Sequence, residues 1–278
     1  MSRVIYIQDK SNPRLQFIIE VSDDTINAVH NNDIDASRNI AKSILGLYKE
    51  TNFPTVFLRN FNGHVFYIDF AEKDVAMKEI LDDFMLHGEY EPHTTELIKK
   101  HVKPGDVCVD VGASIGYFTV LFGSLVGKDG LVYTFEPTTN QFEYLTKNVI
   151  INGYQDFTIG HNFAAWDKEE NVHIKVNNGQ TASIPGRPLD RFLPKKVDFI
   201  KIDVDGSEPW VLRGLIQTIE RNPQLKMVIE YYPEYIEKMG GDPKEVMAIL
   251  DKYFIYEVIK GEFTDKYWNY FCVRKESI

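Results

Sequence analysis

Residues 110–116 read DVGASIG. Within them, Gly112-Ala113-Ser114-Ile115-Gly116 matches G-x-S-x-G, the sharp turn that presents the serine of an α/β hydrolase. The same letters fit a glycine-rich turn between a strand and a helix, where main chain comes close to a nucleotide-like ligand. The choice between a nucleophile and a cofactor turn decides how the rest of the chain is read.

Outward from the turn the pattern is regular. VCVDV (107–111) precedes it as a strand, and GYFTVLFGSLV (116–126) follows as a helix. Upstream, TTELIKKHV is a helix that stops at Pro104-Gly105. Downstream come strand LVYTF, helix QFEYLTKNVIING and strand DFTIGHNF, then a hairpin-like passage around VHIKV. Strand VDFIKID, one helix SEPWVLRGLIQTIE, strand KMVIE, helix PKEVMAILDKY and strands FIYEVIK and YWNYFCVRK follow. Strands alternating with helices predict an α/β fold built on a mainly parallel sheet covered on both faces. The last two strands, with no helix between them, predict an antiparallel pair. Before Thr94 the pattern is mixed. RLQFIIEV reads as a strand and residues 23–50 as one or two helices. TVFLRNFNGHVFYIDF reads as a hairpin turning at Asn62-Gly63, and AEKDVAMKEILDDFMLHG as a helix capped at Gly88.

A chain of 278 residues with 44% hydrophobic content can bury one large core, or one core plus a smaller unit. Its formal net charge of −10 counts against a nucleic-acid partner, which calls for a basic face. Cys108 and Cys272 sit in apolar runs and read as buried thiols of a reducing compartment. The start, MSRVIYIQDKSNPR, lacks the apolar core of a signal peptide, and no stretch approaches a membrane span. These features predict a soluble, cytoplasmic protein.

The ends of the strands carry the chemistry. Asp110 closes the first strand of the regular pattern and can accept hydrogen bonds from a ligand. Gly112 and Gly116 let backbone approach that ligand. The next strand ends in Phe135-Glu136-Pro137, which places an acid about twenty residues beyond the turn, the spacing of a ribose clamp. Neither the G-x-G-x-x-G of a dinucleotide site nor the G-x-x-x-x-G-K-[ST] of a P-loop occurs. A ligand with a ribose and no phosphate fits best, and S-adenosylmethionine is one. The hydrolase reading fails on its base: the histidines after Ser114 are His161 and His173, and a triad of this type needs a late histidine.

These residues resemble the FkbM-like family of class I S-adenosylmethionine-dependent methyltransferases. The matching pieces are GEYEP (88–92), KPGDVCVDVGASIGYFT (103–119), FEPTTNQFEYLTKNVIIN (135–152) and FIKIDVDGSEPWVLRG (199–214). The resemblance implies a Rossmann-like, seven-stranded sheet whose last strand is antiparallel, in a methyltransferase domain over 81–278. Residues 1–80 form an N-terminal α+β extension, a candidate lid, acceptor or dimer region. The resemblance also implies that Asp110, Gly112, Ala113, Ser114 and Gly116 line the methionine side of the cofactor. Glu136, followed by Pro137, holds the ribose, and residues 162–166, with Ala164 and Ala165, border adenine. Tyr90 and Glu91 close over the cofactor, with Thr94 nearby.

For the transfer itself, candidates cluster in KIDVDGSE (201–208). Asp203 could bind the cofactor's amino group, act as base or hold a substrate hydroxyl, and Glu230 ends the next strand on the same rim. Asp205 and Glu208 read equally as acids favouring a helix start that Ser207 caps. Lys201, two residues from Asp203, shares its face of the strand and reads as half of an ion pair. His93 is a further candidate base, and His87 flanks the same GEYEP segment. Several carboxylates could hold Mg²⁺, which is not the favoured reading. Trp166, Trp210 and Trp268 read as core or pocket wall. The expected activity is O-methylation of a hydroxyl on a small molecule or sugar. An N- or RNA-methyltransferase and a non-catalytic cofactor-binding protein are the alternatives, and a homodimer is an open expectation.

Overall fold

The structure is a computed structural model. It describes residues 89–175, 181–260 and 267–275, together with 64–66, 80, 83 and the backbones of four N-terminal strands. The chain divides into two compact units, Met1–Pro92 and His93–Ile278. In the first, β1 (Arg3–Gln8), β2 (Gln16–Val21), β3 (Thr55–Arg59) and β4 (Val65–Asp69) form an antiparallel sheet in the order β2-β1-β3-β4. The expected hairpin is β3–β4, with Phe57 opposite Tyr67, and β1 was not anticipated. The Asn62-Gly63 turn, the helices over 23–50, most of the helix over 71–88, His87 and Gly88 lie outside the described residues.

From His93 on, the second unit holds the rest of α1 (Pro92–His101), then β5 (Val107–Val111), α2 (Tyr117–Val126), β6 (Leu131–Phe135), α3 (Thr139–Ile151) and β7 (Thr158–His161). A small sheet follows: β8 (Ala164–Trp166), β9 (Glu170–Lys175) and β10 (Thr181–Pro188), in the order β8-β10-β9. The hairpin expected around VHIKV is β9–β10. Then come β11 (Phe199–Ile202), α4 (Glu208–Arg213), α5 (Ile216–Arg221), β12 (Lys226–Tyr231), α6 (Pro233–Lys238), α7 (Pro243–Tyr253), β13 (Phe254–Val258) and β14 (Trp268–Arg274).

The seven-stranded sheet has the order β13-β14-β12-β11-β5-β6-β7. Strands β5, β6, β7, β11 and β12 pair in parallel, and β14 runs antiparallel to both of its neighbours. This is the mainly parallel sheet that the alternating pattern predicts, with the seven strands and antiparallel last strand that the resemblance implies. The strand order reverses between β5 and β11, and in such sheets ligands bind beyond the carboxyl ends at that point.

Alternation gives the two faces different work. Val109, Val111, Ile200, Ile202, Met227 and Ile229 belong to one large core cluster. On the opposite face lie Cys108, Asp110, Phe199 and Lys201. There Phe122 of α2 packs on Phe199, and Lys201 Nζ stands 4.2 Å from the Phe118 ring centroid. The polar side chains of β5 and β11 therefore lie under α2, the helix that begins at the glycine turn.

Two elements differ from expectation. The single helix over 207–220 is broken into α4 and α5. At Gly214 a Cβ would lie 2.1 Å from the Trp166 carbonyl oxygen, so backbone contact with β8 interrupts the helix. Helix α6 was not anticipated: Pro233 at its first turn starts a helix directly after β12.

Candidate functional site

The turn after β5 folds as a left-handed kink. Gly112, Ser114 and Gly116 have φ of 80°, 50° and 88°. For Ser114, a non-glycine residue, that conformation stores strain of about 1–3 kcal/mol. The glycines are required, but the approach they permit is to the protein rather than to a ligand. A Cβ on Gly112 would stand 1.7 Å from the Asp203 carbonyl oxygen, and one on Gly116 would stand 3.0 Å from Leu145 Cγ. Main-chain bonds from Gly112 N–H and Ala113 N–H to Phe135 O tie the turn to β6. Asn148 of α3, buried, donates to Ile115 O at 2.8 Å.

Asp110 is 1% exposed and accepts a 2.6 Å hydrogen bond from Thr119 Oγ1, which lies 3.0 Å from Thr134 Oγ1. It is thus the end of an internal hydroxyl chain beneath the turn, not a side chain spread on its surface. Burial pushes its carboxyl up to about 6, against the opposing pull of the Lys201 cation and the Thr119 bond. Glu136, 3% exposed, has both oxygens engaged by main chain. Ser114 N–H donates to Oε2 at 2.9 Å and Thr138 N–H to Oε1 at 2.7 Å. Burial raises this carboxyl to about 7, while those two bonds act to lower it. A carboxylate has about four lone-pair sites, so each oxygen keeps capacity for a ligand hydroxyl. Asn162 Nδ2 donates to Glu136 O and Pro137 O at 2.8 and 3.1 Å, locking the strand end.

Ser114 Oγ is buried with no hydrogen-bond partner. No histidine neighbours it in sequence, and what it offers is a polar atom for a ligand that enters the turn. Ala164 and Ala165 are buried in β8, with Arg187 of β10 opposite Ala165. Trp166 stacks on Trp210 at 4.7 Å and donates to Glu170 Oε1 at 2.8 Å, so this tryptophan pair is packing between β8 and α4. Thr94 and Thr95 are fully buried, with Thr95 Oγ1 3.3 Å from Tyr117 OH. His93, beside them, is exposed. Tyr90 and Glu91 belong to the other unit, where Glu91 N–H donates to Asp83 Oδ2 at 2.9 Å.

Beyond β11, Lys201 Nζ pairs with Asp203 Oδ2 at 2.7 Å, the expected ion pair. Lys201 lies directly across from Asp110 in the β5–β11 register. Ile202 pairs with Ile229, so Asp203 and Glu230 are the next residues along neighbouring parallel strands. Among the described residues no cluster of three or more His, Cys, Asp or Glu is gathered to hold a metal ion.

Sequence reasoning missed Thr119 and Asn148, and it placed Asn162 at the adenine border without its bonds to the end of β6. Asn148 had a signal, a polar residue on the otherwise apolar side of α3 formed by Tyr144, Leu145 and Val149. The bonds of Asn162 had none, because they depend on where β7 ends.

Comparison with known proteins fits this geometry. A protein-L-isoaspartate O-methyltransferase of Arabidopsis thaliana is 25% identical over 130 residues, 47% of this chain and 48% of that one; the chain spans about half the length of this curated relative. A Clostridium thermocellum protein assigned as an rRNA methylase superposes with a TM-score of 0.51 at 16% identity, covering 67% of this chain and 96% of the other. A methyltransferase FkbM of Methylobacillus flagellatus superposes at 0.46, with 17% identity, 69% of this chain and 52% of that one. The fold is that of a class I, S-adenosylmethionine-dependent methyltransferase, the class to which the family matched below belongs. The methyltransferase FkbM domain model matches residues 110–257, more than half of the chain, and the protein belongs to that family. The residues present fit the cofactor: an unpartnered buried hydroxyl at Ser114 and a buried carboxylate with spare acceptor capacity at Glu136. No helix among the described residues is long and apolar enough to cross a membrane.

Proposed function

We propose that the protein transfers a methyl group to a hydroxyl oxygen of a small molecule or sugar. In this reading Asp203 and Glu230 stand on the acceptor side, and Glu136 and the 112–116 turn hold the methyl donor. The observation that carries it is the register of β11 and β12. It makes Asp203 and Glu230 the next residues along two neighbouring parallel strands, near the carboxyl ends where such sheets bind ligands. When bound, the cofactor supplies a methyl group already activated on a sulfonium, so the chain has to orient the acceptor and take up its hydroxyl proton. Asp203, held by the Lys201 ammonium, is the first choice for receiving that proton, and Glu230 is the second. His93, exposed on the outer side of α1, is the weaker candidate. Pro137, Ala164, Ala165 and Thr94 remain in the proposed cofactor surround.

The surplus of acidic residues favours an uncharged acceptor over a polyanion. The test is transfer of labelled methyl from S-adenosylmethionine to a panel of phenols, polyols, sugars, amines and RNA. The reading expects a methyl ether as product, and loss of turnover in Asp203→Asn with donor binding retained. Label in an amine or in RNA overturns the oxygen assignment. Donor binding without transfer to any member of the panel points to a cofactor-binding protein.

A further inference from the structure

Glu208 is the first residue of α4 and is 0% exposed. Its Oε1 accepts from Gly206 N–H at 3.2 Å, and its Oε2 has no hydrogen-bond partner. The ionisable groups acting on it most strongly are both acids, Asp203 and Asp205. The cations nearest along the chain are engaged elsewhere: Arg213 pairs with Asp167 and Glu245, and Lys201 with Asp203. A charge buried among like charges with one oxygen unsolvated is costly, whereas a neutral carboxyl in the same place costs far less.

The turn that Glu208 holds runs left-handed at two successive residues, of which only Asp205 is strained by it. Asp205 has φ of 50° and Gly206 of 98°, and a Cβ on Gly206 would lie 2.6 Å from the carbonyl carbon and oxygen of Tyr235 in α6. One end of the turn is Asp203, whose carbonyl oxygen fills the space beside Gly112. The hydrogen bond to Gly206 therefore bears on the acceptor-side acid and, through a backbone contact, on the cofactor turn.

We propose that Glu208 works as an uncharged acid, a positioning residue whose bond to Gly206 N–H sets the 203–206 turn and, through Asp203 and Gly112, the cofactor site. Burial pushes its carboxyl up to about 8, in line with a proton kept at neutral pH. The role extends to turnover only on the reading of Asp203 as an acceptor-side residue; its effect on the cofactor site does not need that reading.

The experiment compares wild type, Glu208→Gln and Glu208→Leu by calorimetric titration with S-adenosylhomocysteine from pH 6 to pH 9.5. Infrared difference spectra of wild type against Glu208→Gln are taken at pH 7. Glutamine keeps the acceptor oxygen without a charge, so Glu208→Gln is expected to fold and to bind within about twofold of wild type at pH 7. Wild type is expected to lose affinity roughly tenfold relative to that variant between pH 7 and pH 9.5, and Glu208→Leu to bind weakly at every pH. The difference spectrum should contain a protonated carboxyl band. The proposal is overturned if Glu208→Gln fails to fold, binds about tenfold weaker at pH 7, or follows the wild-type pH profile. A carboxylate band in place of the protonated one overturns it as well. The failure of these arms leaves the methyl-ether assay untouched, and an RNA or amine product there leaves these arms untouched.

Discussion

Two turns meet at the carboxyl rim of the sheet, one after β5 and one after β11. Each contains a non-glycine residue held left-handed, Ser114 in one and Asp205 in the other. Each has a buried glutamate bonded to turn main chain, Glu136 and Glu208. They differ in how fully the acid is satisfied. Glu136 receives main-chain N–H bonds on both oxygens, while Glu208 receives one on Oε1 and leaves Oε2 without a partner. The first turn is a finished cradle, stable before a ligand arrives. The second has main-chain bonds of its own, Asp203 N–H to Val111 O and Ser207 N–H to Val204 O, but its glutamate is engaged by the turn through one oxygen only. The contact between Gly112 and the Asp203 carbonyl joins the two.

The most severe way to break the comparison is at that contact. Gly112→Ala places a methyl group into a carbonyl oxygen and forces a left-handed alanine, and it should cost at least about 3 kcal/mol. Urea unfolding measures this. A variant as stable as wild type would mean that the turns are not in contact. Next in size, Glu136→Ala removes the acceptor of two main-chain N–H groups and the proposed ribose clamp. Binding of S-adenosylhomocysteine should weaken about 100-fold. Ser114→Ala removes one hydroxyl and should weaken it by only about threefold. An equal loss in the two variants would contradict the ranking.

The pH dependence of stability sharpens the same comparison. Asp110, Glu136 and Glu208 have folded values raised to about 6, 7 and 8. Each favours the folded state while protonated. That contribution is complete below the ordinary carboxylate range and is lost as pH rises through the folded value. Thermal melts of the unliganded protein should therefore show stability contributed by these groups declining between about pH 4 and pH 8. Glu136→Gln should remove its share of the decline up to about pH 7, and Glu208→Gln its share up to about pH 8, including nearly all of the decline above pH 7.

Much of this was legible in sequence, and the reasons differ by element. The strand–turn–helix over 107–126 was readable because strand period, positive-φ glycines and helix period coincide there. Glu136 was readable because its distance from the turn is set by one helix and one strand. The break at Gly214 was not, because it depends on the Trp166 carbonyl, 48 residues earlier in the chain and brought close only by the fold. The reason for Gly112 was half legible: the left-handed turn could be read, but its neighbour is Asp203 rather than a ligand. Asp110 could be read as an acceptor, but not that Thr119, nine residues later in the next helix, would donate to it. The charge state of Glu208 was equally hidden, since acid at a helix start is ordinary on an exposed helix and exceptional only when buried.

The turn at 110–116 and Glu136 are the proposed binding site of the methyl donor. Calorimetric titration of S-adenosylhomocysteine into wild type and Glu136→Ala tests it most directly. The account predicts one-to-one binding by wild type and about 100-fold weaker binding by a variant that still unfolds cooperatively. No binding by wild type at high micromolar ligand, or equal binding by both proteins, would contradict it.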